Sequence, residues 1–131
     1  MDTPYLNSLS KFEVLKREIP SPYFMAYPDV GNISGWNYDV CTELKLSRDH
    51  LVQVHLKDTL RVSETCKGQF RDLVIGEGQV DFPAIFKTLA EIDYSAPLVI
   101  EMWAQNDNWL DDIKQAKATL KSTANQSGFE L

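Results

Sequence analysis

Leu51-Val52-Gln53-Val54-His55-Leu56-Lys57-Asp58 is a short apolar run with β-branched residues that closes on polar groups. Such a run reads as a buried strand of a parallel sheet, covered on both faces. His55, Lys57 and Asp58 fall where the strand leaves its sheet. In parallel α/β folds, ligands bind at the carboxyl ends of strands. Taken singly, His55 reads more readily as a hydrogen-bonded core histidine than as a ligand.

On the N-terminal side, residues 3–18 read as a helix, with Pro4 in the first turn and Leu6, Leu9, Phe12, Leu15 and Ile19 in phase. Pro20 and Pro22 end it. Residues 23–27 read as a strand closed by Pro28-Asp29. Residues 30–35 read as a polar loop with two glycines, and Trp36, Val40, Cys41 and Leu44 as one face of a second helix.

On the C-terminal side, residues 58–80 read as a long connection holding Arg61, Lys67, Arg71 and Gly76-Glu77-Gly78. A loop of that length is usually functional or disordered. Lys67 and Arg71 read as solvated loop charges, and the glycines as a turn near the site. Asp81 caps a third helix with Pro83 in its first turn and an apolar face of Phe82, Ile85, Phe86, Leu89 and Ile92. Residues 97–103 form the third strand. Asp107 begins a last helix, with Leu110, Ile113, Ala116 or Lys117, and Leu120 in phase. From Ser122 onward the tail is expected to fray. The order is helix, then strand and helix three times over, which implies an α/β fold of parallel strands with helical crossovers.

The chain has 131 residues, 44% apolar and 24% charged, which suits one small globular domain over 1–131. Its net charge of -6 argues against a nucleic-acid partner. A small phosphorylated substrate stays open, because a local cluster of Lys and Arg can bind it. Cys41 and Cys66 fit no zinc spacing and read as free thiols of a cytoplasmic protein. No apolar run reaches the roughly 20 residues of a membrane span, and no secretory signal opens the chain.

Each strand closes on a possible metal ligand: Asp29, His55 and Glu101. Neighbouring parallel strands lie about 4.8 Å apart, so three side chains leaving one edge can converge. Two carboxylates and an imidazole suit zinc, manganese, magnesium or cobalt. Each also has a structural reading. Asp29 is turn or cap chemistry, and Glu101 is an ion-pair partner for Lys57. A Glu on an apolar strand is costly without a cation or proton nearby.

Four motifs, in order, resemble a known family: Tyr27-Pro28-Asp29-Val30-Gly31-Asn32, Val54-His55-Leu56-Lys57-Asp58-Thr59, Gly76-Glu77-Gly78-Gln79-Val80-Asp81-Phe82 and Ile100-Glu101-Met102-Trp103. They are similar to the L-ribulose/L-xylulose 5-phosphate 3-epimerases, also called hexulose-6-phosphate isomerases, of the xylose isomerase-like (β/α)8 barrels. Asn7-Ser8-Leu9-Ser10-Lys11 resembles them too.

The resemblance implies a TIM barrel, which typically needs about 250 residues. It implies that this chain is a C-terminal half, with strands like the sixth, seventh and eighth. Family members bind a divalent metal through Glu, Asp, His and Glu. Asp29, His55 and Glu101 match the last three. The first Glu falls just before the segment that opens here with Met1-Asp2, so the chain is expected to be a truncated polypeptide or a remnant reading frame, with Met1 equally an internal methionine.

The implied chemistry is metal-assisted C3 epimerisation of a small phosphorylated ketose, L-xylulose 5-phosphate to L-ribulose 5-phosphate, or a related hexulose 6-phosphate isomerisation. Glu101 is one of its two acid–base groups. Arg61, six residues past His55, stands where related ketose epimerases hold a substrate-contacting Arg; a surface salt bridge is the equal alternative. Lys57 binds an anionic substrate or pairs with Glu101. Two rivals remain. A barrel endonuclease would need more histidines than His50 and His55. An inactive metal-binding or structural half-barrel would fold only as a homo-oligomer or with its missing N-terminal half, since it exposes a strand edge and inner apolar surface.

Overall fold

The computed structural model describes residues 5–103 and 106–131. Strand β1 (Val54–Leu56) lies at the centre. It pairs in parallel with β4 (Leu98–Ile100), in the register Val54↔Leu98, His55↔Val99 and Leu56↔Ile100. On its other side, residues 26–29 run parallel through two isolated bridges, Ala26↔Leu51 and Asp29↔His55. The strand expected at 23–27 is thus reduced to bridge contacts. Pro28 is the physical reason. Its carbonyl accepts from the His55 N–H at 2.8 Å, but it has no N–H to continue the ladder.

Helices cover one face of these segments. Helix α1 (Leu9–Glu18) starts at Ser8, whose hydroxyl accepts from the Lys11 N–H. Residues 5–8, expected to be helical, instead form turn and bend up to the Ser8 cap, and the start expected at residues 3 and 4 lies outside the described residues. Helix α3 (Val40–Leu46) is capped by Asp39, α4 (Phe82–Glu91) by Asp81 as expected, and α5 spans Trp109–Gln126. Val54, Leu56, Leu44, Ile85, Phe86 and Leu89 form the centre of the apolar core.

Five further expectations are corrected. Residues 30–35 are not a loop but helix α2 (Val30–Gly35), buried along its whole length and capped by Asp29. Its Gly and Ser content argues against a helix locally. Tertiary contact overrides this: a Cβ on Gly31 would meet the backbone carbonyl oxygen of Lys57 at 2.5 Å, and Thr59 Oγ1 donates to the Gly31 carbonyl at 2.9 Å. Trp36 belongs to the end of α2, not to the next helix; its ring lies 5.2 Å from that of Phe70.

Nor is the connection after Asp58 structureless. It contains an antiparallel hairpin of β2 (Leu60–Val62) and β3 (Lys67–Gln69). Arg71 is more than a solvated charge, since its guanidinium sits 4.9 Å from the centre of the Trp103 ring. Finally, the tail is anchored. Gly128, at φ 77°, turns the chain so that Phe129 returns to stack on Phe86 with ring centres 5.8 Å apart.

Cys41 and Cys66 are free thiols. Among the described residues, no helix is long and apolar enough to cross a membrane.

Phe129 is 8% exposed, so Phe129→Ala is expected to destabilise the chain by about 3 kcal/mol through lost burial and a residual cavity. Urea denaturation checks this; an unchanged midpoint would mean that the tail contributes nothing.

Candidate active site

Side chains alternate along β1. Val54 and Leu56 enter the helix-covered core, and His55 and Lys57 take the other face. Asp29 stands beside His55 across the isolated bridge. Glu101 follows β4, fixed by its N–H donating to the Leu56 carbonyl at 2.9 Å. Parallel register therefore brings Asp29, His55, Lys57 and Glu101 together.

Lys57 is at the centre of this group. Its Nζ lies 2.9 Å from Asp29 Oδ2 and 3.3 Å from Glu101 Oε1, with its side chain 7% exposed. A buried ammonium is stable only when paired, and here two carboxylates share it. His55 Nδ1 is 2.8 Å from Glu101 Oε2. The Gln53 amide Nε2 lies 2.7 Å from His55 Nε2. With that amide donating, the imidazole proton sits on Nδ1 and points at Glu101.

Burial works to raise the Glu101 pKa, but the His55 hydrogen bond and the Lys57 charge outweigh it and hold the carboxyl below its ordinary 4.5. Asp29 has two tasks. Its Oδ1 accepts from the Asn32 N–H at 2.9 Å and caps α2, while Oδ2 also accepts from Asn32 Nδ2 at 2.9 Å. Both structural readings given above, Asp29 as a cap and Glu101 as a partner of Lys57, are realised.

Asn32 is a site residue that sequence reasoning passed over. Asp-x-x-Asn in a capping position was the available signal. Its Oδ1 is buried without a hydrogen-bond partner among the described residues. Arg61 is not brought to this cluster. Its N–H donates to Gln79 Oε1 at 2.9 Å, and its Nε lies 3.3 Å from Ser34 Oγ. His50 is elsewhere, 2.9 Å from Glu13 of α1.

Asp29, Asn32, His55 and Glu101 form the polar end of a cavity of about 390 Å³. Its remaining wall is largely apolar, including Leu9, Phe12, Phe24, Met25 and Ile33. An apolar cavity with a few convergent polar groups has the form of a ligand site.

The donor types, two carboxylates sharing one ammonium and an imidazole bonded to one of them, fit a divalent cation. As the side chains stand, the Lys57 ammonium bridges the carboxylates, and no three His, Cys, Asp or Glu side chains among the described residues are grouped to hold an ion. A metal at this point would have to replace Lys57 as the partner of Asp29 and Glu101.

The model of the xylose isomerase-like TIM-barrel family matches residues 1–123. The chain belongs to that family. It is 44% identical over 130 residues to a candidate L-ribulose-5-phosphate 3-epimerase of Escherichia coli (strain K12), SgbU; the match covers 98% of this chain and 46% of the relative. It is 37% identical over 130 residues to the L-ribulose-5-phosphate 3-epimerase UlaE of Salmonella paratyphi A, covering 98% and 44%. A solved xylose isomerase domain protein from Planctomyces limnophilus superposes with a TM-score of 0.77 at 22% identity, over 92% of this chain and 45% of that one. The chain thus spans about half the length of the curated relatives it matches, a partial barrel of the xylose isomerase-like family.

Two outcomes follow from the ion cluster. Lys57→Met leaves two partly buried carboxylates facing each other, at a cost of about 3 kcal/mol; zinc or manganese should recover part of this in urea denaturation. Secondly, the lowered Glu101 pKa gives stability that is present above pH 4.5 and lost as pH falls through the folded value. Unfolding measured across that range should steepen on acidification, and Glu101→Gln should flatten the curve.

Proposed function

We propose that this chain supplies the C-terminal half-site of a sugar-phosphate 3-epimerase acting on a ketopentose 5-phosphate, with L-xylulose 5-phosphate and L-ribulose 5-phosphate as the substrate pair, or on a related hexulose 6-phosphate. The observation that carries this is the convergence of Asp29, His55, Lys57 and Glu101 at the ends of three parallel segments. The similarity to relatives named L-ribulose-5-phosphate 3-epimerases supports it.

Epimerisation at C3 removes the proton next to the C2 carbonyl and returns one to the opposite face. Glu101 is the base for one face, its low pKa keeping it ionised at neutral pH. His55 orients it through the Nδ1 hydrogen bond. Lys57 offers a positive N–H to an anionic substrate oxygen, and Arg61 is assigned to the substrate from the hairpin side. A divalent cation (zinc, manganese, magnesium or cobalt) would be held by Asp29, His55 and Glu101 and would supply Lewis-acid stabilisation of the enediolate. The carboxylate for the second face is not among these residues. It belongs to a complementary N-terminal half-barrel, or its place is taken in a homo-oligomer. A phosphorylated, membrane-impermeant substrate fits a cytoplasmic protein with free thiols.

A second reading, a non-catalytic half-barrel, is favoured by the Lys57 bridge, which already pairs with both carboxylates. Activity and metal binding separate the two. On the first reading the purified chain binds about one divalent ion per site and gains L-xylulose 5-phosphate turnover only with a complementary half. Metal stoichiometry near zero at high added metal removes the half-site. Robust turnover by the chain alone overturns the need for a second carboxylate.

A further inference from the structure

Asp58 ends the run around which the sheet is built, yet it takes no part in the cluster of Asp29, Lys57 and Glu101. Its carboxylate is nearly inaccessible, at 2% exposure of the residue, and among the described residues it forms no ion pair. Backbone amides satisfy it instead. Oδ2 accepts from the N–H groups of Gly76 at 2.8 Å and Gly78 at 2.9 Å. Oδ1 accepts from Thr59 at 2.9 Å and Val80 at 3.2 Å. Four N–H donors around one carboxylate make a concave anion nest, here filled from within the chain. The sequence Gly-x-Gly has a reason in this geometry. Gly76 adopts φ 105°, and a Cβ on Gly78 would run into the Asp58 carboxylate.

Gln79 lies between two of the anchored amides, those of Gly78 and Val80. Its own N–H donates to the Thr59 carbonyl at 2.8 Å, so its backbone is held on both sides. From this fixed position Gln79 holds Arg61. Its Oε1 accepts from the Arg61 N–H at 2.9 Å, and its carbonyl lies 3.5 Å from Arg61 Nη2. Ser34 Oγ, on buried α2, lies 3.3 Å from Arg61 Nε. An exposed arginine ordinarily samples many rotamers, and ordering it on ligand binding costs affinity.

We propose that Asp58 is a positioning residue: by folding residues 76–80 back against the end of β1, it fixes Gln79, and Gln79 pre-orders the Arg61 guanidinium for the phosphate of a sugar-phosphate ligand. This rests on the reading above in which Arg61 contacts the substrate. The nest organises one specific side chain beside helix α2 as well as closing a long loop. Replacing one oxygen by an amide nitrogen, as in Asp58→Asn, sets an N–H against N–H donors and releases the turn.

The test has two arms, both on the full chain. The first reads the Arg61 Nε–H signal by ¹⁵N relaxation. It should be ordered in the wild type and mobile in Asp58→Asn, which frees the main-chain carbonyl of Gln79 that faces Arg61 Nη2, with the amide shifts of α4 and α5 unchanged. An Arg61 signal that stays ordered in Asp58→Asn overturns the proposal. The second titrates L-ribulose 5-phosphate. Arg61→Ala and Asp58→Asn should each weaken binding by about tenfold, the scale of losing a charge-assisted contact. Combining them should weaken it no further, because Asp58 acts through Arg61. A full additional loss in the double variant means that Asp58 acts only on the fold, and overturns the positioning role. If Arg61→Ala leaves binding unchanged, or the wild type does not bind, the substrate reading of Arg61 fails and the proposed phosphate role fails with it; the relaxation arm separately decides whether Asp58 orders Arg61.

Discussion

One ammonium group ties the molecule together at its functional edge. Lys57 follows β1, Asp29 lies on the neighbouring segment and Glu101 follows β4, so the contacts of a single Nζ cross-link all three parallel segments. This matters because the ladders themselves are short: β1 and β4 have three residues each, and the third segment is joined only by bridges. The price is electrostatic. Two carboxylates and an ammonium leave water together, which is tolerable only because the ammonium offsets one of the two negative charges and hydrogen bonds from His55 and Asn32 use the remaining lone pairs.

That constraint is set by the apolar layer beneath it. Val54 and Leu56 are anchored in the core between helices, which orients His55 and Lys57 to the opposite face. Helix α2 packs so closely on the end of β1 that Gly31 has no room for a side chain. The same close approach sets Asp29 at the α2 N-terminus, where its carboxylate caps the helix and meets Lys57. A change at Gly31 would therefore displace a charged group in the cluster through backbone contact alone. The cavity beside the cluster is walled by apolar side chains of α1 and the 24–28 segment. A ligand reaching Glu101 would meet a partly desolvated environment in which these charges interact strongly.

Much of this was legible in the sequence. Helices α1, α4 and α5, the Asp81 cap and the two core strands appear where their local patterns put them, because a helix stripe or a buried β-branched run is a property of neighbouring residues; Leu15, Ile19, Leu110 and Ile113 of the expected apolar faces are nonetheless exposed. The candidate cluster was legible too, since strand-end polar residues in a parallel fold must emerge on one edge. Asp29, His55, Lys57 and Glu101 do come together. The motifs that resemble the sugar-phosphate epimerases also agree with the family to which the chain belongs.

What the sequence alone could not determine depended on contacts between distant residues. Val30–Gly35 has poor helix propensity and becomes a helix because β1 and Thr59 hold it. The connection after Asp58 reads as a loop, since the donors that order it, at residues 76, 78 and 80, find their acceptor about twenty residues back. Phe129 reads as part of a fraying tail and is buried by Phe86. Composition and spacing fixed which charges would share one edge of the sheet. Only the tertiary structure decided that the Lys57 ammonium lies between the two carboxylates, because that contact turns on the directions of side chains from three separate segments.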